Sequence, residues 1–153
     1  MTGNTKAEMT NSSINLLLAD DDLDDCMFFR DVLEELPISS NLRTVNDGEE
    51  LIKHLKSESK LPDALFLDLN MPKKNGIECL TEIKNDKRLI SIPIIIYSTS
   101  LDKEVVNLLY EYGACRYVRK PGDFAKLKSV IHEVLNVIVN NEIEISEKEN
   151  FVL

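Results

Sequence analysis

Asp68 ends a short apolar run, Ala64-Leu65-Phe66-Leu67, and is followed at once by Leu69-Asn70-Met71-Pro72. A strand that delivers a carboxylate into a loop punctuated by Pro and Gly sets that charge at the carboxyl edge of a sheet. Open parallel sheets keep their chemistry at that edge. Three further features also follow apolar runs: the acidic run Asp20-Asp21-Asp22, the hydroxyl pair Ser98-Thr99, and Lys120-Pro121. Strand ends carrying acids, a hydroxyl and a lysine describe one site.

Two carboxylates about 5 Å apart at an effective dielectric near 20 repel by roughly 3 kcal/mol, and a third makes an empty site worse. A divalent cation relieves such a cluster, and oxygen-only donors point to a hard ion, Mg²⁺ or Mn²⁺. For Asp22, Asp24 and Asp25 the preferred reading is service to the dipole of the first helix. Asp20 and Asp21, still in or just leaving the strand, do not fit that reading. One ammonium, Lys120, beside three carboxylates and a 2+ ion leaves the pocket near neutral, ready for a dianionic phosphoryl group. Its X-Pro bond is of the kind that can be cis, which would fix the lysine's direction. Ser98 can donate to a phosphoryl oxygen, although alone it would read as a turn hydroxyl.

The elements that must position these groups alternate strand and helix. Strands are expected at Ile14 to Ala19, Leu42 to Val45, Ala64 to Asp68, Pro93 to Tyr97 and Cys115 to Val118. Helices are expected at Leu23 to Leu36, Glu49 to Ser57, Gly76 to Asn85, Asp102 to Tyr112 and Phe124 to about Val139. The first helix would bury Leu23, Met27, Phe28, Val32, Leu33 and Leu36. Five βα units in a row imply parallel strands and right-handed crossovers. The economical solution is an α/β, flavodoxin-like (βα)5 doubly wound sheet of strand order 2-1-3-4-5. Residues 1–13 read as a flexible segment, 14–139 as one domain and 140–153 as a tail. That tail mixes acids with Ile143, Ile145, Phe151, Val152 and Leu153, and reads as frayed and solvated, with partner docking as the alternative.

A chain of 153 residues, 43% hydrophobic, suits one core. A net charge of -9 argues against nucleic acid or an anionic membrane as partner. Three widely spaced cysteines, Cys26, Cys79 and Cys115, fit reduced, buried thiols, and the polar amino terminus lacks the apolar stretch of a secretion signal. A cytoplasmic protein is expected.

At this point the chain resembles the receiver domains of two-component response regulators, over roughly Ile14 to Val139. The residues that carry the resemblance are Asp20-Asp21, Leu67 to Pro72 with Asn75-Gly76, Ser98, and Lys120-Pro121. Asp68 to Ser98 is 30 residues and Asp68 to Lys120 is 52, similar to the chemotaxis response regulator. The resemblance implies phosphorylation of Asp68 by a histidine kinase or phosphotransfer protein. It implies Mg²⁺ held by Asp21, Asp68 and the backbone carbonyl of Asn70, with Asp20 acting largely through water. Lys120 would pair with the phosphoryl group, Ser98 would bond it, and Tyr117 would be the aromatic switch residue; read without the resemblance it is a half-buried strand tyrosine.

The implied output is a shift of the fourth helix, fifth strand and their loops, read out on the face of the fourth helix, fifth strand and fifth helix, where Glu104, Leu108, Glu111, Arg116 and Arg119 are candidate contacts for an unknown output protein or for a homodimer. The longer connection Asn85 to Pro93, with Tyr97-Ser98-Thr99-Ser100, is similar to the stand-alone subfamily that includes phytochrome-associated regulators. Such a chain is a phosphoacceptor that promotes its own phosphorylation and dephosphorylation with Mg²⁺, not an enzyme. A phosphatase of the haloacid dehalogenase type also uses a strand-end Asp, but wants a second acid two residues on, where Asn70 stands. A flavin protein would need a phosphate-cradling loop where the acidic run lies. A degenerate receiver serving as a constitutive interaction module is the remaining alternative.

Overall fold

The computed structural model describes residues 13–144 and 147–153. Five parallel strands, β1 (Ile14–Ala19), β2 (Ser40–Val45), β3 (Ala64–Leu67), β4 (Ile94–Ser98) and β5 (Arg116–Arg119), form one sheet in the order β2-β1-β3-β4-β5. The helices between and after them are α1 (Leu23–Glu35), α2 (Gly48–Ser57), α3 (Gly76–Lys84), α4 (Lys103–Glu111) and α5 (Phe124–Val139).

Because side chains alternate along a strand, one apolar run serves two layers. Leu17, Ala19, Leu65, Leu67, Ile94 and Ile96 pack toward α2, α3 and α4. Leu16, Leu18, Ala64, Phe66, Ile95 and Tyr97 pack toward α1 and α5. Full burial of each such aliphatic or aromatic side chain favours the fold by about 1.5–3 kcal/mol before entropy is counted. β2, at one edge, alternates partly covered with exposed residues from Ser40 to Thr44, as an edge strand with one wet side should.

Each helix starts on an Asp or Asn supplied by the loop above the sheet: Asp22, Asp47, Asn75, Asp102 and Asp123 each accept from a first-turn N–H. These caps satisfy donors that would otherwise lack partners. They also fix where each strand end hands over to its helix.

α1 departs from the expectation in one respect. Its buried stripe is Cys26, Phe29, Val32 and Leu33, whereas Leu23 and Met27 are more than half exposed. The long connection before β4 is held by Asp86, which accepts from the N–H groups of Arg88 and Leu89, and by Arg88, which donates to the Leu55 and Glu58 carbonyls. The tail is not frayed over 147–153. Val152 bridges to Tyr117 beside β5, and Phe151 is fully buried. The stretch 1–12 read as flexible, and Ile145 of the tail, lie outside the described residues. No described helix is long and apolar enough to cross a membrane.

Candidate functional site

The strand ends meet at the point where the sheet order reverses around β1, the place where doubly wound sheets bind ligands. Asp20 follows β1, its N–H held by the Val45 carbonyl at 3.0 Å, and its Oδ1 accepts from the Asp22 N–H at 3.0 Å. Asp68 follows β3, and its N–H donates to the Ala19 carbonyl at 2.9 Å. That bond sets Asp68 beside the end of β1. The loop beyond is drawn in by the Gly76 N–H, which donates to the Leu69 carbonyl at 2.9 Å. Asn70 is exposed, and its N–H reaches Asp68 Oδ1 at 3.4 Å.

Lys120 gathers the acids. Its Nζ lies 2.7 Å from Asp20 Oδ2, 2.8 Å from Asp25 Oδ2 and 3.5 Å from Asp68 Oδ2, and 5.1 Å from the centre of the Tyr97 ring. The Lys120 N–H donates to the Ser98 carbonyl at 2.8 Å, tying the ends of β4 and β5 together. No described peptide bond is cis, so the lysine's direction comes from its carboxylate partners and not from its proline. Asp25 is the residue that sequence reading missed. Its place in the first turn of α1 suggests service to the helix dipole, but there it also faces the lysine across the sheet edge.

The electrostatics follow from burial. Asp68 is pushed up to about 6, first by loss of water and then by Asp20, with Lys120 pulling the other way. Burial alone would lower Lys120, but the close Asp20, Asp25 and Asp68 carboxylates outweigh it and hold the ammonium charged. The Cys26 thiol beneath the site is pushed up to about 11, mainly by burial, so it stays a neutral thiol. All three cysteines are free and buried.

The residues present fit a hard divalent ion. Asp20, Asp21 and Asp68 each offer a carboxylate oxygen, and the three atoms lie within 4.8 Å of one another. Asp20 Oδ2 is buried and faces the Lys120 ammonium at 2.7 Å. An all-oxygen donor set of this kind suits a hard ion such as Mg²⁺ or Mn²⁺.

Ser98 is fully buried, its Oγ 3.2 Å from Ser100 Oγ. Thr99, its neighbour, is exposed. Tyr117 is not half-buried but wholly enclosed, and its hydroxyl donates to the Ser100 carbonyl at 2.5 Å. Glu104, Glu111 and Arg119 are exposed, while Leu108 and Arg116 are partly covered. A concavity of about 730 Å³ lies at the opposite edge of the sheet between Ile14, Pro37, Leu61, Ile92 and Ile138. It contains none of the groups above.

Comparison with known proteins gives the same site a context. Residues 16–132 match the response regulator receiver domain. The chain is 30% identical over 124 residues to the response regulator Rcp1 of Synechocystis sp., covering 78% of this chain and 84% of that one. It is 36% identical over 90 residues to a probable C4-dicarboxylate response regulator, DctR, of Bacillus subtilis, but spans only 38% of that protein. Among solved structures, the phosphorylated cyanobacterial phytochrome response regulator RcpA superposes with a TM-score of 0.79 at 27% identity, over 88% of this chain and 100% of that one. The Mn²⁺-bound form of Rcp1 superposes with a TM-score of 0.76 at 27% identity, over 88% and 99%. Phosphorylation of an aspartate is the general mechanism of such domains, and they bind a divalent metal. A family match over most of the sheet and a relative sharing nearly a third of its residues along most of both chains agree: the chain belongs to the response regulator receiver domains of two-component signalling.

Proposed function

We propose that Asp68 accepts a phosphoryl group from a phosphohistidine on a histidine kinase or phosphotransfer protein, and that the phosphorylated chain signals to an output protein. The observation that carries this reading is the Lys120 ammonium, 3.5 Å from a buried Asp68 and flanked by two further carboxylates. A carboxyl held near 6 is mostly ionised at neutral pH, yet is more basic than an exposed aspartate and so a better nucleophile. Its oxygen attacks phosphorus in line. A P–O bond forms as the P–N bond breaks, and the imidazole departs with the bonding pair.

Lys120 offsets charge on the transferring group, and Ser98 turns its hydroxyl from Ser100 to a phosphoryl oxygen. Tyr117, bonded to Ser100, registers that movement at β5. Asp21, Asp68 and the Asn70 carbonyl, with Asp20 through water, would hold Mg²⁺ or Mn²⁺, which when bound neutralises phosphoryl charge. The chain promotes its own phosphorylation and dephosphorylation in this way without turning over a separate substrate. The buried, unpaired thiols suit a reducing cytoplasm.

Thermal unfolding with beryllofluoride, a phosphoryl mimic, tests the site directly. At a ligand concentration near 100 times Kd, the midpoint should rise by roughly 5–10 °C only when Mg²⁺ is also present. Asp68→Asn should abolish the rise. A rise that persists in that variant would place the mimic elsewhere and refute the assignment.

A further inference from the structure

The free edge of β5 is covered by residues 151–153 of the same chain. Beyond a short 3-10 turn at Lys148–Asn150, the tail runs alongside β5 with Val152 paired in parallel to Tyr117. The Tyr117 N–H donates to the Phe151 carbonyl at 2.9 Å, and the Leu153 N–H donates to the Tyr117 carbonyl at 2.8 Å. Phe151 is 1% exposed and meets Tyr110 and Tyr117 edge-on, with ring centroids 5.3 and 6.2 Å away. Leu153 packs into the other layer, with α1 and α5. Main-chain hydrogen bonds plus a pocketed side chain are how an extended peptide adds to a sheet edge.

The seat also carries two arginines. β5 reads Arg116-Tyr117-Val118-Arg119, and Arg116 Nη1 donates to the Glu144 carbonyl at 2.8 Å. The segment lying against it brings Glu144, Glu147 and Glu149 ahead of Phe151. The seat is also joined to the phosphoryl site. Tyr117 bonds Ser100 through its hydroxyl and the tail through its main chain, and Ser100 touches Ser98 at 3.2 Å.

We propose that the β5 edge is a strand-adding docking surface held shut by residues 147–153, and that the partner it fits is an extended acidic segment carrying an aromatic–aliphatic–aliphatic run. The partner displaces the tail and takes its place. This rests on the proposed function only in naming the displacement as the output step. A tethered segment competes at an effective concentration of about 1 mM, so a free peptide of like chemistry binds poorly while the tail is seated.

The test uses the full chain and the full chain bearing Phe151→Ala, with a fluorescent peptide Glu-Lys-Glu-Asn-Phe-Val-Leu read by anisotropy. The variant should bind saturably, the wild type about tenfold or more weakly, and a peptide with alanine for its phenylalanine not at all. Exchange of the Tyr117 amide should quicken in the variant and slow again when peptide is added. Equal binding to both chains, or binding that survives loss of the peptide's phenylalanine, would overturn the proposal. So would no binding to a variant that still unfolds cooperatively. Protection of Tyr117 that falls on dilution of the wild type would place the tail on a second copy and overturn the intramolecular cover. Intact mass after phosphorylation is measured on the same samples; its failure would refute Asp68 as acceptor while leaving the peptide result to stand.

Discussion

Asp68 illustrates how burial sets the working state of one side chain. The folded chain holds its proton to about pH 6, against an ordinary value of 3.8, because water is removed and Asp20 is near. The fold therefore binds this proton more tightly than the unfolded chain does. That favours folding fully below about pH 4, and the advantage is lost as pH rises through 6; at pH 8 ionised Asp68 costs the metal-free fold about 3 kcal/mol at most. Asp68→Asn should accordingly stabilise the metal-free chain by about 1–3 kcal/mol at pH 8 and by almost nothing at pH 4. Urea unfolding at the two pH values measures this, and an equal increment at both would contradict the burial origin. Asp25 shares Lys120 with Asp20 and Asp68. Asp25→Ala removes a negative charge from the site and should tighten beryllofluoride binding in Mg²⁺ by about fivefold, read by titration calorimetry. Weaker binding would mean that Asp25 holds the lysine in its productive place. The positions of Asp20, Asp68 and Ser98 were legible because each closes an apolar run, that of Asp21 because it adjoins Asp20, and that of Lys120 because its Lys-Pro step closes the last strand. Asp25 was not, since an acid in a helix's first turn already has a sufficient local explanation.

At the scale of elements, the loops above the sheet matter more than the strands. Each of α1 to α5 begins on a capping Asp or Asn, so the turn from strand end to helix is hydrogen-bonded at its first step. Gly76, opening α3, permits a close approach beside Asp68. A Cβ there would stand 2.4 Å from the Asp68 carbonyl oxygen and 2.8 Å from Leu69 Cα. Gly76→Ala should therefore cost about 1–3 kcal/mol and also weaken Mg²⁺-dependent beryllofluoride binding, because the backbone it pushes carries Asp68. Calorimetric unfolding and mimic titration check the two effects; loss of stability with unchanged mimic affinity would show that the loop absorbs the strain elsewhere. The alternation of elements and the strand order could be read from the chain, as the runs at Leu16 to Ala19, Ala64 to Leu67 and Ile94 to Tyr97 are apolar on both faces. The burial of α1 could not be read so well. Helical spacing admits Leu23 and Met27 to the stripe, but the sheet reaches only Cys26, Phe29, Val32 and Leu33.

For the whole molecule, the tail changes what the sheet presents. Its acidic composition suggested solvent, yet Phe151 completes the layer that holds Tyr117. That pairing is tertiary, between segments distant in sequence, and no local pattern signals it; Tyr117 is fully buried for the same reason. Phe151→Ala should lower stability by about 3 kcal/mol in urea unfolding of the full chain. A change below about 0.5 kcal/mol would mean that the tail contributes little to the fold. The most direct check on Asp68 as the phosphoryl acceptor is the intact mass of the full chain after incubation with acetyl phosphate, with and without Mg²⁺, beside Asp68→Asn. A single phosphoryl adduct that requires Mg²⁺ and is absent from the variant is the expected result; an adduct in the variant, or none in the wild type with Mg²⁺, would contradict it.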